Sequence, residues 1–194
     1  MPKALVTGGH GFIGSHLVEK LQQEKWDVSI MDFPFDVTRK EHWDLKLKNI
    51  EYIFHLAGHL DNYYHTGAEA DFSQYVDINI KSIALLFEVI IEQQLPIKKI
   101  IVASSQSIYG EGQYENDEPL QEKENDPPVP ISMYGASKAA MEDILFTLGK
   151  IYQIPVVALR YSIVLGARQK FKDIDSRIIP SFIEMAQCGE IITH

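Results

Sequence analysis

A doubly wound α/β fold around a mostly parallel sheet is the architecture this sequence predicts, and three observations carry the prediction. Short apolar runs alternate with longer segments whose apolar residues recur at helical spacing. The short runs are of the kind covered on both faces, as in parallel sheets. The first of them ends in glycines that open directly into a helical pattern.

Taken in order, Ala4, Leu5 and Val6 form the first strand, and Phe12, Ile13, Leu17, Val18 and Leu21 place a helix behind it. Residues 28–31 give a second strand ending at Asp32, residues 38–47 can hold a short helix, and residues 52–56 give a third strand ending at Ala57 and Gly58. Ile78, Ile83, Leu85, Leu86, Val89 and Ile90 mark a long apolar-rich helix, followed after Pro96 by a strand over 100–104. Residues 111–130 are acidic and punctuated by Pro119, Pro127, Pro128 and Pro130, so they read as a long loop, a feature that is often functional. A helix over 134–152 and a strand over 156–161 continue the alternation. In such sheets ligands sit at the carboxyl ends of the strands.

The 194 residues, 45% of them hydrophobic, suffice for one well-cored domain. Eighteen Lys and Arg against 27 Asp and Glu give a net charge of -9, which argues against a nucleic-acid groove or an anionic membrane surface. No apolar run reaches the roughly 18 residues of a membrane span, and Met1-Pro2-Lys3 leads straight into a strand pattern with no room for a signal peptide. The lone Cys188 cannot make an internal disulfide. A cytoplasmic protein with no membrane or nucleic-acid partner is the expectation.

Gly8, Gly11 and Gly14 stand in a G-x-x-G-x-x-G pattern between the first strand and its helix. Glycines there permit a tight turn and close backbone approach, and they leave helix N-terminal amides free for a pyrophosphate. A plain strand-helix turn is the alternative, but the flanking strand and helix favour a dinucleotide site and hence a Rossmann fold. At the end of the second strand, the Asp32 carboxylate would accept hydrogen bonds from ribose hydroxyls and repel a 2′-phosphate, favouring NAD over NADP. Tyr134 and Lys138, four residues apart, share one helix face, where the ammonium can stabilise a phenolate and lower a pKa otherwise near ~10. Ser104, Ser105 and Ser107 follow the fourth strand, where a hydroxyl could reach the crevice beside Tyr134. Hydrolase chemistry is disfavoured, since no G-x-S-x-G elbow occurs. His55 and His59 straddle a strand end instead of sharing a helix face, so they read as structural or solvent-facing histidines, with no metal.

With these residues in view, the chain resembles the extended short-chain dehydrogenase/reductases, specifically the NAD-dependent epimerase/dehydratase group acting on nucleotide sugars. The resemblance runs in order through Thr7-Gly8-Gly9-His10-Gly11-Phe12-Ile13-Gly14, Asp32, Asp36-Val37-Thr38, His55-Leu56-Ala57-Gly58, Asn79, Ser104-Ser105-Gln106-Ser107-Ile108-Tyr109-Gly110, Tyr134 to Lys138, and Leu159-Arg160-Tyr161. It implies an NAD-binding domain over 1–165 and, over 166–194, the start of a substrate-binding region that is otherwise largely missing. It implies Ser105, Tyr134 and Lys138 as the catalytic trio. The cofactor-binding residues it implies are Gly8, Gly11, Phe12, Ile13, Gly14 and Asp32, then Asp36 and Val37 near adenine, Leu56, Ala57, Gly58, Asn79 and Tyr161, with Tyr134 and Lys138 reaching the cofactor as well. A nucleotide-sugar substrate follows from the same resemblance, as does a homodimer formed through the helices holding Asn79 and Tyr134.

The resemblance further implies that Tyr134, as phenolate, takes a proton from a sugar hydroxyl while hydride leaves the same carbon for NAD, with Lys138 and Ser105 assisting. Related dehydratases carry an Asp-Glu pair where this chain has Gln106 and Ser107, so epimerisation leads over dehydration and over simple sugar or alcohol dehydrogenation. A non-catalytic NAD-binding fragment is a further alternative. Two departures bear on this: the stretch from Asp32 to Asp36 is shorter than the family's usual one, trimming the adenosine edge, and members usually run well past the length of this chain. The 194 residues alone are therefore expected to fold and bind NAD without epimerising.

Overall fold

The computed structural model of the chain is described for residues 1–60, 71–112, 114–115, 118–169 and 187–188. The apolar runs form β1 (Lys3–Thr7), β2 (Asp27–Met31), β3 (Tyr52–His55), β4 (Lys99–Ser105) and, after a small hairpin of β5 (Tyr114–Glu115) and β6 (Glu118–Pro119), β7 (Val156–Tyr161). The five long strands make one parallel sheet in the order β2-β1-β3-β4-β7.

Register places Leu5 opposite Ile53 and Ile53 opposite Ile100, a row with no solvent exposure across the middle of the sheet. Strand side chains alternate between faces, so each face has its own core. Leu5, Ile53, Ile100 and Val102 pack on one face beneath the helices α2 (Lys40–Lys46), α3 (residues 72–92) and α4 (Met133–Tyr152), which contribute Trp43, Leu86, Phe87, Met141 and Leu145. Helix α3 is α-helical over Phe72–Gln74, π-helical over Tyr75–Lys81 and α-helical again over Ser82–Glu92. Ala4 and Val6 face the other way, onto Val18 and Leu21 of α1 (Phe12–Gln23).

Because β1 has β2 on one side and β3 on the other, the winding reverses between β1 and β3, which fixes where a ligand crevice opens at the strand ends. Among the described residues β2 and β7 are the edges of the sheet. The short connection after β2 folds into a tight turn, with the Phe35 amide donating to the Asp32 carbonyl at 2.8 Å and the Thr38 amide to the Asp36 carboxylate at 2.8 Å. Helix α4 begins at Ser132, whose hydroxyl accepts from the Gly135 amide at 3.0 Å, and ends at Gln153 in the left-handed region with φ 56. The described residues of the expected loop over 111–130 are irregular apart from the β5-β6 pair, and the Val129 amide donating to Ile108 O at 2.8 Å pins its end.

Candidate active site

The glycine turn is built as the spacing requires. Gly8 has φ +64, and the Gly11 amide donates to its carbonyl at 3.0 Å. A Cβ on Gly14 would lie 2.0 Å from that same carbonyl oxygen, so α1 can approach β1 this closely only with glycine there. No side chain caps the N-terminus of α1 and no acidic residue occupies its first turn, which leaves its amides and positive dipole end available to an anion. Asp32 stands beside this turn, its carboxylate accepting from the His10 amide at 2.9 Å and from the Phe33 amide at 2.8 Å.

At the strand ends lies a crevice of about 620 Å³. Phe12, Ile13, Leu56, Gly58, Ser105, Tyr134, Lys138 and Tyr161 all line it. These eight expected site residues, from β1-α1, β3, β4, α4 and β7, therefore meet in one cavity. Gly8, Gly11, Gly14, Asp32 and Asp36 lie outside its lining, Ala57 packs against Gly8, and Val37 is buried in the core with its carbonyl accepting from Trp43 Nε1 at 2.8 Å. Asn79 is buried behind the wall. Its Oδ1 accepts from the His59 amide at 2.7 Å, and its Nδ2 donates to His59 O at 3.0 Å and Ser137 Oγ at 2.9 Å. The π-helical turn that carries Asn79 has the wider ladder often found at functional positions.

The Lys138 ammonium donates to Ala103 O at 2.9 Å and sits 5.7 Å from the centre of the Tyr134 ring. It also floors Gly58, where a Cβ would come within 3.0 Å of Nζ. Burial pushes Lys138 down to about 8, partly offset by the Glu142 carboxylate. The Tyr134 phenol goes the other way from the expected lowering. Burial pushes it above its ordinary value, and the Ser105 hydrogen bond pulls it back only in part. The sequence shows the i,i+4 pairing but not how much water the fold removes around the phenol.

His55 is a buried structural residue whose neutral state is set by its neighbours. The Ala57 amide donates to Thr7 Oγ1 at 3.0 Å, Thr7 donates to His55 Nδ1 at 2.8 Å, and Ser82 spends its only proton on Ile78 O at 2.6 Å. The 3.0 Å bond between His55 Nε2 and Ser82 Oγ therefore needs the proton on Nε2. Burial, with the nearby Lys138 charge, pushes His55 down to about 3.

Sequence reasoning read His59 as structural or solvent-facing and missed Tyr75, although both line the crevice with rings 4.7 Å apart, and it missed Glu142. Glu142 follows Lys138 by four residues on the same helix face, so the stripe Tyr134, Lys138, Glu142 was the available signal.

A parallel α/β sheet with a glycine turn at its first strand, and with Ser105, Tyr134 and Lys138 lining one crevice at the strand ends, defines a Rossmann-like fold. The NAD dependent epimerase/dehydratase family profile matches residues 4–193, and the chain belongs to that family, which is NAD dependent. It is 32% identical to the UDP-glucose 4-epimerase of Lacticaseibacillus casei, over 84% of this chain and 51% of that protein. The structure of Thermus thermophilus UDP-glucose 4-epimerase in complex with NAD is similar with a TM-score of 0.83 and 29% identity, covering 98% of this chain and 64% of the other. Bacillus cereus UDP-glucuronic acid 4-epimerase, in complex with UDP-glucuronic acid and NAD, gives 0.79 and 28%, over 94% and 63%. The chain thus spans from about half to just under two thirds of the length of these proteins. Among the described residues no helix is long and apolar enough to cross a membrane.

Proposed function

We propose that this chain carries the cofactor and acid-base half of a nucleotide-sugar epimerase that oxidises one sugar carbon transiently and returns the hydride to its other face. The observation that carries the reading is the single crevice in which Ser105, Tyr134 and Lys138 face Phe12, Ile13 and Gly58. The residues fit a dinucleotide: the cradle at Gly8 and Gly14 would be filled by a Cβ, and the uncapped α1 N-terminus suits a pyrophosphate. Bound NAD supplies a hydride acceptor and donor.

The chain's own residues handle the proton. Tyr134 exchanges it with the sugar hydroxyl, and Ser105, which lines the same crevice, holds the sugar oxygen as its charge changes. At neutral pH Lys138 is largely cationic and fixed by Ala103 O, placed to favour the phenolate and a ribose hydroxyl over Gly58. Gln106 and Ser107, the residues after Ser105, have no carboxylic acid, which favours epimerisation over dehydration. The similar structures support UDP-hexoses as the first substrates to try, and the 4-position as the reacting carbon. We place the cofactor domain at 1–165, the beginning of the substrate region at 166–194, and a homodimer contact on α3 and α4.

The test is interconversion of UDP-glucose and UDP-galactose, and of their uronic acids, by the purified protein with NAD. Turnover that requires Tyr134 supports the reading, and a protein that neither binds NAD nor converts any of these sugars overturns it. A cofactor-binding fragment inactive by itself is the second reading, favoured by the share of its relatives that the chain spans. Tight NAD binding with no turnover would select it.

A further inference from the structure

Glu142 is buried one helical turn beyond Lys138, and no part of the proton chemistry above uses it. Its carboxylate accepts from the Ser104 hydroxyl and from Arg160, at 3.1 and 3.2 Å from Nε and 2.8 Å from Nη2. Arg160 extends past Glu142: Nη1 donates to the Tyr109 hydroxyl at 2.6 Å and to Glu124 O at 2.8 Å, with the guanidinium 5.0 Å from the Tyr109 ring centre. One side chain of β7 therefore joins α4, the turn after β4 and the acidic segment 111–130.

A buried ion pair is weak evidence for stability, because desolvation offsets most of the attraction. What such a pair does fix is the place and compensation of a charge. Around the Lys138 ammonium stand Tyr134 and Glu142, one helical turn before and after it on α4, Ala103 O on β4, Asn79, which meets it under Gly58, and neutral His55 on β3. Of these only Glu142 carries a charge opposite to it.

We propose that Glu142 and Arg160 are a positioning pair that sets the charge of Lys138, an inference that rests on the catalytic role assigned to Lys138. Glu142 stabilises the ammonium, and Arg160 tempers that attraction by holding the carboxylate in a fork. The two ends of the pair then act on Lys138 with opposite signs. Removing the anion lowers the Lys138 pKa below about 8, and removing its counter-ion raises it. A role confined to packing would not separate the two signs.

The experiment is an NMR titration of the full chain labelled with ¹³C at lysine Cε, the Lys138 resonance being identified by its loss in K138M. In E142Q the Lys138 midpoint is expected to fall by about one pH unit, and in R160Q to rise by about one. R160K, which keeps the charge but loses the fork, should rise less than R160Q, and it serves alone if thermal melts show R160Q unfolded. Midpoints moving the same way in E142Q and the arginine variant, or not moving, overturn the proposal. Because the titration needs neither NAD nor a sugar, its failure is distinct from failure of the epimerase reading, which would show as absent NAD binding.

Discussion

Replacing Gly14 by alanine adds one methyl group at the point where α1 meets the turn. The structure sets what that methyl meets: Gly8 O at 2.0 Å, Gly8 C at 2.8 Å and Gly9 Cα at 2.9 Å, where ordinary contact begins at 3.4 Å. All three atoms are backbone, so no side chain can swing aside, and the N-terminus of α1 must move away from β1. Alanine is the better helix former by up to ~1 kcal/mol, whereas overpacking of this kind costs about 1–3 kcal/mol. A contact at 2.0 Å against backbone belongs at the upper end of that range, so the clash wins, and a net loss of up to about 2 kcal/mol lowers the melting temperature by up to roughly 8 °C in a domain of this size. The cofactor feels the shift more than the fold does. An amide hydrogen bond to a charged group contributes about 1.5–3 kcal/mol, so losing one contact from the displaced α1 amides weakens NAD by about tenfold or more. Calorimetric titration with NAD beside a thermal melt measures both quantities. A Gly14→Ala protein with wild-type NAD affinity and an unchanged melt would refute the assignment of this turn to the pyrophosphate.

Asp32, beside the glycine turn, should make NAD bind more tightly than NADP, and Asp32→Asn should narrow the gap; calorimetry with both cofactors would expose the opposite order. In an active form of the protein, Tyr134→Phe should cost on the order of 10²–10⁴ in turnover with NAD binding nearly intact, whereas Lys138→Met should damage both; equal and mild effects would deny this division of labour. His55 predicts a pH effect on stability. Its folded pKa of about 3 lies below the ordinary histidine value of 6.5, so the unfolded chain binds the extra proton between those values, and stability falls by a few kcal/mol as pH drops through that window. Denaturant melts from neutral pH to mild acid should show a shallower fall for His55→Gln, and an identical slope would remove His55 as the cause.

How much of this was legible follows from where each signal resides. The sheet could be read because its central strands are largely buried and apolar, β1 on both faces with Leu5 on one and Ala4 and Val6 on the other, and because the helices carry their apolar residues on the face that packs. Gly14 was legible because a backbone contact at 2.0 Å admits one residue type. Tyr134 and Lys138 were legible because helical spacing alone aligns them. The edge position of β2 matches the short connection between Asp32 and Asp36, a length that is visible directly in the chain.

What stayed hidden depends on pairing across large separations. Arg160 finds Glu142 18 residues away and Tyr109 51 away, Asn79 finds Ser137 58 away, and Thr7 finds His55 48 away. Spacing along the chain does not show which polar groups the fold will strip of water together. The same physics explains the reversal at Tyr134, where a neighbouring cation was legible and desolvation was not. Once buried, each of these groups has to be satisfied by a specific partner, since an unpaired one costs about 1–3 kcal/mol. The polar connections from Thr7 to Ser82 and from Ser104 to Arg160 thus hold the ends of β1, β3, β4 and β7 in fixed relation to α3 and α4. That relation is what a trio drawn from β4 and α4 needs if it is to face a cofactor held at β1.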